Sequence, residues 1–252
     1  MTGTVTIRVY AELNDFLAPD PRQRDASYRF DVAPSVKDAI EALGVPHTEV
    51  DLILVNGEPA DFRYRLVDGD RVSVYPAFEG IDISELPRLR PEPLDETRFV
   101  VDGHLGTLGR YLRLLGFDTR LDPTATDEQL ADASVSEQRV LLTRDRGVLK
   151  RRAVTHGFFV RDDDPTQQLL DVVRRLHLGE HVRPFSRCMV CNGLLEDVDK
   201  DAIEDQLRAG TRLAFHTYRR CQICRRLYWE GAHHPRLRAL VAEVRALERG
   251  RR

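Results

Sequence analysis

The sequence predicts two domains that mix helices and strands in different ways, followed by a small metal-binding module. Three patterns predict this. Residues 1–80 carry short extended runs around one amphipathic helix, an α+β arrangement. From residue 98, short apolar runs alternate with helical periodicity, as in an α/β domain built on a parallel sheet. The four cysteines of the 252-residue chain fall as two CxxC pairs, Cys188 with Cys191 and Cys221 with Cys224.

A chain of 252 residues has room for two domains and a module. Its 42% hydrophobic and 31% charged content is that of an ordinary globular protein. No run of about 18 apolar residues occurs, so neither a membrane span nor a membrane partner is expected. The start, MTGTVTIRVYAELNDF, lacks the basic and apolar regions of a signal peptide, and the expected compartment is the cytoplasm. There, CxxC spacing favours a metal over disulfides. The net charge of −3 hides an asymmetry: residues 1–80 hold 8 Lys/Arg against 14 Asp/Glu, whereas residues 183–252 hold 15 against 9. A basic module beside an acidic region is a nucleic-acid enzyme's pattern. An Arg-rich, merely solvated tail is the plainer reading.

Residues 4–11, TVTIRVYA, alternate like a half-buried strand, and 28–32 alternate again, so a hairpin is expected. Ser35 is a candidate N-cap with Asp38 in the first turn, and Val36, Ile40 and Leu43 share one face before Gly44 ends the helix. Val50 to Val55 reads as a strand closed by the tight-turn pair Asn56-Gly57, and Arg71 to Tyr75 as the last strand. This β-β-α-β-β order resembles the ubiquitin-like β-grasp fold. SVKDAIEALGVPHTEVDLILVNGEPA and VDGDRVSVYPAFEG are similar to the sulfur carriers of thiamine and molybdopterin synthesis. Such carriers end in a free Gly-Gly. Here Phe78-Glu79-Gly80 runs on into Ile81, so an interaction or substrate-positioning role is expected instead of sulfur transfer. Residues 81–97, with three prolines and mixed charge, read as a linker.

The second domain is organised around FVVDGHLGTLGRYLRLLGFDT, residues 99–119. A strand ends at Asp102, Gly103 permits a turn, and Leu105, Leu108, Leu112 and Leu115 recur at helical spacing up to Gly116. Phe117 to Leu121 reads as a strand. Thr126 to Gln129 has the form of a capping box opening a helix, and Arg139 to Thr143 is the next strand. A basic helix is expected over VLKRRAV, residues 148–154, then a strand over 157–160 and a helix with Pro165 in its first position.

Three strands therefore run into acids: Asp102, Asp145, and one of Asp162 to Asp164. Asp127 or Glu128 follows a fourth. In a parallel sheet these ends share an edge, where carboxylates repel unless cations join them. Hard oxygen ligands suit Mg²⁺ or Mn²⁺, which promote phosphodiester hydrolysis. Each acid also has a structural reading: a loop acid at Asp102, a first-turn acid at Asp127, helix caps at Asp145 and Asp164. No P-loop, nucleophile elbow or G-x-G-x-x-G occurs.

VVDGHLGTLGRYLRLLGFDT, LLTRDRGVLKRRA and the later CxxC pairs resemble the Mut7-C RNase-like family, named from a nematode exonuclease and assigned to the PIN-like nuclease superfamily. The resemblance spans residues 97–235, and many bacterial members carry the same β-grasp extension. It implies a ribonuclease whose acids hold Mg²⁺ or Mn²⁺. Asp102 matches the first acid, Asp145 the acid of T-R-D, and Asp127 and Asp163 are weaker matches to the others.

In the metal module, four thiolates in two chelating turns suit a structural Zn²⁺. A redox pair or an iron–sulfur site is the alternative. The spacer holds an expected helix over 201–207, and His216, His233 and His234 read as surface or packing residues. Arg219, Arg220, Arg225 and Arg226 interleave with Tyr218, Tyr228 and Trp229, a candidate RNA surface. Tyr228 and Trp229 equally read as packing for the knuckle. Arg144 or Arg110 is a further candidate phosphate contact, and Arg110 equally reads as an outward helix residue. Pro235 to Arg252 reads as an amphipathic helix.

The expected organisation is a β-grasp domain at 1–80, a linker at 81–97, a PIN-like α/β domain at 98–182, and a zinc ribbon-like module with a C-terminal helix at 183–252. The expected function is a Mg²⁺- or Mn²⁺-dependent ribonuclease acting on RNA, tRNA or other structured RNA included, with a protein partner for the β-grasp domain. The competing reading is a non-catalytic RNA-binding adaptor. A sulfur-transfer partner is a third.

Overall fold

The computed structural model describes residues 2–20, 22–76, 89, 94 and 96–249. Gly80, most of the expected linker and the terminal residues 250–252 lie outside the described residues. The elements run β1 (Gly3–Val9), β2 (Asp25–Phe30), α1 (Val36–Ala42), β3 (Leu52–Val55), β4 (Glu58–Pro59) and β5 (Arg71–Tyr75). They continue with β6 (Phe99–Val101), α2 (Gly106–Leu114), β7 (Thr119–Leu121), α3 (Asp127–Ser136), β8 (Val140–Thr143), α4 (Arg146–Leu149), β9 (Gly157–Phe159) and α5 (Pro165–Arg175). Last come β10 (Leu195–Val198), α6 (Ala209–Ala214), β11 (Tyr218–Cys221), β12 (Leu227–Trp229) and α7 (His234–Arg249).

The N-terminal sheet has the order β2-β1-β5-β3-β4. β1 and β5 pair in parallel at its centre, and the other pairs are antiparallel. This is the β-grasp arrangement. Val5, Ile7 and Val9 alternate into a core completed by Val36 and Ile40 of α1 and by Ile53, Val72 and Val74. The capping box forms as the sequence predicts: Ser35 Oγ accepts from Asp38 N, and the Asp38 carboxylate accepts from Ser35 N. Asn56 and Gly57 both have positive φ and close a two-residue hairpin into β4. β4 is an extra short strand; Pro59 stands opposite Leu54, and the next ladder bond runs from Ala60 N to Ile53 O.

The described chain divides into two compact units, residues 1–96 with 125–159, and residues 97–124 with 160–252. In the first, α3 opens with the Thr126–Gln129 capping box, and the fully buried β8 pairs in parallel with β9. Side chains tie this segment to the β-grasp residues. The Arg146 guanidinium donates to the Phe16 and Asp15 carbonyls at 2.9 and 3.2 Å and lies over the Phe16 ring. Lys150 Nζ donates to Glu41 O at 2.7 Å, and His47 Nε2 lies 3.0 Å from Val154 O. The buried Glu49 carboxylate accepts the N–H of Phe159 at 2.7 Å. The basic helix expected over 148–154 is instead the single turn of α4: Lys150 N still donates to Arg146 O, but Arg151 N and Val154 N then close tighter turns, onto Val148 O and Arg151 O.

In the second unit β6 pairs in parallel with β7. The segment after Asp102 starts as a 3₁₀ turn, Gly103–Leu105, and then becomes α2. Gly116, with φ +98, ends α2 in a Schellman motif: its N–H reaches Arg113 O and that of Phe117 reaches Leu112 O. Phe117 is thereby spent on closing the helix, and the strand expected from it begins two residues later. Pro165 occupies the first turn of α5, which Asp164 caps. The helix expected over 201–207 is a 3₁₀ segment, Asp201–Gln206, whose single buried residue, Ile203, anchors one turn only. β10, β11 and β12 form an antiparallel sheet, and α7 buries Leu240, Val241 and Val244. Among the described residues no helix is long and apolar enough to cross a membrane.

The Arg146 contacts give a stability test. Arg146→Ala removes two charge-assisted hydrogen bonds and the ring contact. It is expected to lower the unfolding free energy by about 1–2 kcal/mol in urea titration without changing the slope.

Candidate functional site

The two CxxC turns come together beside the β10–β11–β12 sheet. Cys188 and Cys191 precede β10, Cys221 ends β11, and Cys224 lies in the turn to β12. All four Sγ atoms lie within 4.8 Å of one another, with Cys188–Cys224 at 3.7 Å and Cys191–Cys221 at 3.4 Å. A tetrahedral ion with Zn–S bonds of about 2.3 Å sets sulfurs about 3.8 Å apart, so the donor set and its spacing fit zinc. In each turn a backbone N–H points back to the first sulfur, Cys191 N to Cys188 at 3.4 Å and Cys224 N to Cys221 at 3.5 Å. A Cβ on Gly193 would come within 2.9 Å of Cys221 Sγ, so glycine fits beside the cluster.

The electrostatics ask for a cation. Burial works to raise the Cys188 thiol, but the Tyr228 hydroxyl, 3.0 Å away, and the N–H groups of Cys191 and Val190 outweigh it and draw the group down to about 6. Burial and hydrogen bonds with the other three thiols push Cys191 up to about 12. Four sulfurs this close share protons unless a metal replaces them.

The cluster is bonded to α2 and β7. Arg113 is 4% exposed, and its Nε donates to Thr119 O at 2.9 Å. Its Nη1 donates to Met189 O at 3.2 Å and Val190 O at 2.7 Å, the two residues between the first cysteines. Asn192 Oδ1 accepts from Thr119 N and Asn192 Nδ2 donates to Asp118, both at 3.0 Å. Sequence reasoning missed Arg113 and Asn192. Arg113 sits beside the apolar stripe of α2 and carried no signal. A polar residue just after a CxxC turn was a faint one.

The acids are placed one by one. Asp102 directly follows the buried β6, and its Oδ1 accepts from His104 N at 3.2 Å and His104 Nδ1 at 2.9 Å. A Cβ on Gly103 would meet Pro123 Cα at 2.8 Å, so this close approach requires glycine and fixes the turn after Asp102. Asp145 caps α4, with Oδ1 accepting from Gly147 N at 2.6 Å and Val148 N at 3.3 Å. Asp127 lies exposed in the first turn of α3. Asp163 is exposed between Asp162, which accepts from Asp164 N, and Asp164, the α5 cap.

The arginines divide in two. Arg219 pairs with Asp197 at 2.8 Å and donates to Phe185 O at 2.6 Å; Arg220 pairs with Glu196 at 3.1 Å, and Arg225 approaches it at 3.6 Å. These pairs follow from the β10–β11 register, which sets Glu196 opposite Arg220 and Asp197 opposite Arg219. Arg110, Arg144 and Arg226 are exposed. Tyr228 bonds to Cys188 and serves the cluster, whereas Trp229 is 41% exposed. His216 and His233 are exposed, and His234 packs against Phe185 at 4.9 Å.

A family model described as the Mut7-C RNAse domain matches residues 97–241. The chain belongs to the Mut7-C RNase family. The match assigns a nuclease-like domain, and both cysteine pairs lie inside it. A second model, Mut7-C ubiquitin, matches residues 2–82, the β-grasp sheet. Among solved structures, the crystal structure of SAMP1 from Haloferax volcanii is similar at 23% identity, covering 31% of this chain and 99% of that one with a TM-score of 0.26. No curated protein matches.

Two outcomes test the centre of this Mut7-C chain. Elemental analysis of the purified protein is expected to find one zinc per chain, and close to none in Cys188→Ser. Arg113→Met keeps bulk but leaves three carbonyls without their donor. It is expected to cost about 3 kcal/mol in chemical unfolding and to speed zinc loss to a chelator.

Proposed function

We propose that the chain is a metal-dependent ribonuclease that hydrolyses RNA phosphodiester bonds, with Asp102, Asp127, Asp145 and Asp163 as its acid set and the zinc-bound segment aiding RNA binding. The carrying observation is the Mut7-C RNase match over 97–241, which spans all four acids. Hard carboxylate oxygens suit Mg²⁺ or Mn²⁺, whereas the thiolate cluster suits zinc, so the two donor sets select different ions. A bound Mg²⁺ or Mn²⁺ activates water and offsets charge on the phosphate in such hydrolysis.

The chain's own residues orient the carboxylates. His104 holds Asp102 through two donors to one oxygen, and the first turn of α4 holds Asp145 through two more. Carboxylates fixed in this way meet a cation without first losing rotamer freedom. Exposed Arg110 and Arg144 are candidate phosphate contacts. The five-stranded β-grasp sheet is proposed to bind a protein partner, because Gly80 is followed by Ile81 and offers no free carboxylate for sulfur transfer.

Helix capping by Asp145 favours one competing reading, an RNA-binding adaptor in which the acids are structural. Incubation with mixed RNA in Mn²⁺, in Mg²⁺ and without either separates the two. The ribonuclease cleaves only with metal, and Asp102→Asn and Asp145→Asn each lower the rate by at least about a hundredfold while thermal unfolding shows the fold retained. RNA bound but intact with every metal supports the adaptor.

A further inference from the structure

We propose that a cavity beside the cysteine cluster takes an unpaired base of single-stranded RNA, with Arg238 and Arg245 of α7 holding the adjoining phosphates. This deepens the ribonuclease reading and rests on RNA being the substrate.

The cavity, about 610 Å³, lies between the β10–β11–β12 sheet and the start of α7. Its walls include Phe185, Tyr228, Trp229, His233 and Leu237, so flat rings and apolar carbon dominate. Ring-lined cavities of this size suit small planar groups, and every nucleobase offers a face for stacking. The walls are held in place. Phe185 has φ +58, rare for a bulky residue, and is pinned by its N–H to Leu114 O and by its carbonyl to Arg219. The Trp229 edge rests against Gly231, where a Cβ would lie 2.9 Å from the indole nitrogen. Trp229 is nonetheless 41% exposed, although the Tyr218 ring lies tilted 6.4 Å from it across the β11–β12 pair.

Phe185 also lines a second groove, about 670 Å³, floored by Val241 and flanked by Arg238 and Arg245. These two arginines stand one heptad apart on α7 and, among the described residues, form no ion pair, unlike Arg219 and Arg220. The residues from 183 to 252 carry 15 Lys/Arg against 9 Asp/Glu, the charge a phosphate backbone needs. An aromatic cavity adjoining a basic groove matches a base and its phosphates. A duplex, whose bases are already stacked and paired, cannot present a base to it.

Trp229 is the only tryptophan of the chain, so its fluorescence reports on this cavity alone. The zinc-loaded full chain, without added Mg²⁺ or Mn²⁺, is titrated with a short single-stranded RNA of mixed sequence and with the same strand in a blunt duplex; anisotropy of labelled RNA follows total binding. The expected result is saturable quenching of Trp229 by the single strand and little by the duplex. Trp229→Ala is expected to weaken single-strand binding about tenfold. The Arg238→Ala, Arg245→Ala double variant is expected to reduce the slope of log affinity against log salt by about 0.7 for each arginine. Binding by anisotropy with unchanged Trp229 emission, or equal quenching by the duplex, overturns the cavity and leaves the cleavage result standing. Absence of RNA binding overturns both. Quenching without cleavage in any metal sustains the cavity and removes the ribonuclease.

Discussion

Four sulfur atoms within 4.8 Å of one another set the constraint on which the C-terminal half of the chain depends. As thiolates they repel; as thiols they share too few good donors. A divalent cation would resolve both problems by joining the two turns at one centre. The cluster is not an appendage. Arg113 and Asn192 bond its first turn to the end of α2 and the start of β7. α2 follows directly from the turn that carries Asp102, so that turn and the first cysteine turn are bonded to opposite ends of one helix.

In the other unit, the β-grasp sheet and residues 125–159 are joined through polar bonds as well as apolar contact. The Glu49 carboxylate, buried and accepting a backbone N–H from β9, would be costly if left without that partner. Lys150 and Arg146 likewise spend their charges on main-chain carbonyls of Glu41, Phe16 and Asp15. Bonds of this kind specify one docking register, because a shifted segment leaves the buried Glu49 carboxylate without its partner.

Local signals were legible where the chain's own chemistry decides the outcome. The caps at Ser35 and Thr126, the turn at Asn56-Gly57, the helix stop at Gly116 and Pro165 at the start of α5 all depend on a few neighbouring residues. The CxxC spacing was legible for the same reason. What the sequence left hidden depends on partners far along the chain. The bonds that Lys150 and Val154 make to Glu41 and His47 reach about a hundred residues along the chain. The pairing of Arg219 and Arg220 with Asp197 and Glu196 needs the β10–β11 register, which moves two arginines of the expected RNA surface into internal pairs. Trp229 kept the exposed aromatic role that the sequence offered it, while Tyr228 took the packing one.

The central claim is that one chain separates two metal chemistries, thiolates for a structural zinc and carboxylates for a hard catalytic ion. Electron paramagnetic resonance of Mn²⁺ added to the zinc-loaded protein tests it most directly. The account predicts bound Mn²⁺ with an oxygen-only signature, no zinc displaced, and loss of that signal in Asp102→Asn but not in Trp229→Ala. Mn²⁺ that stays free in solution while zinc fills the cysteine site, or that binds equally to Asp102→Asn, would contradict it.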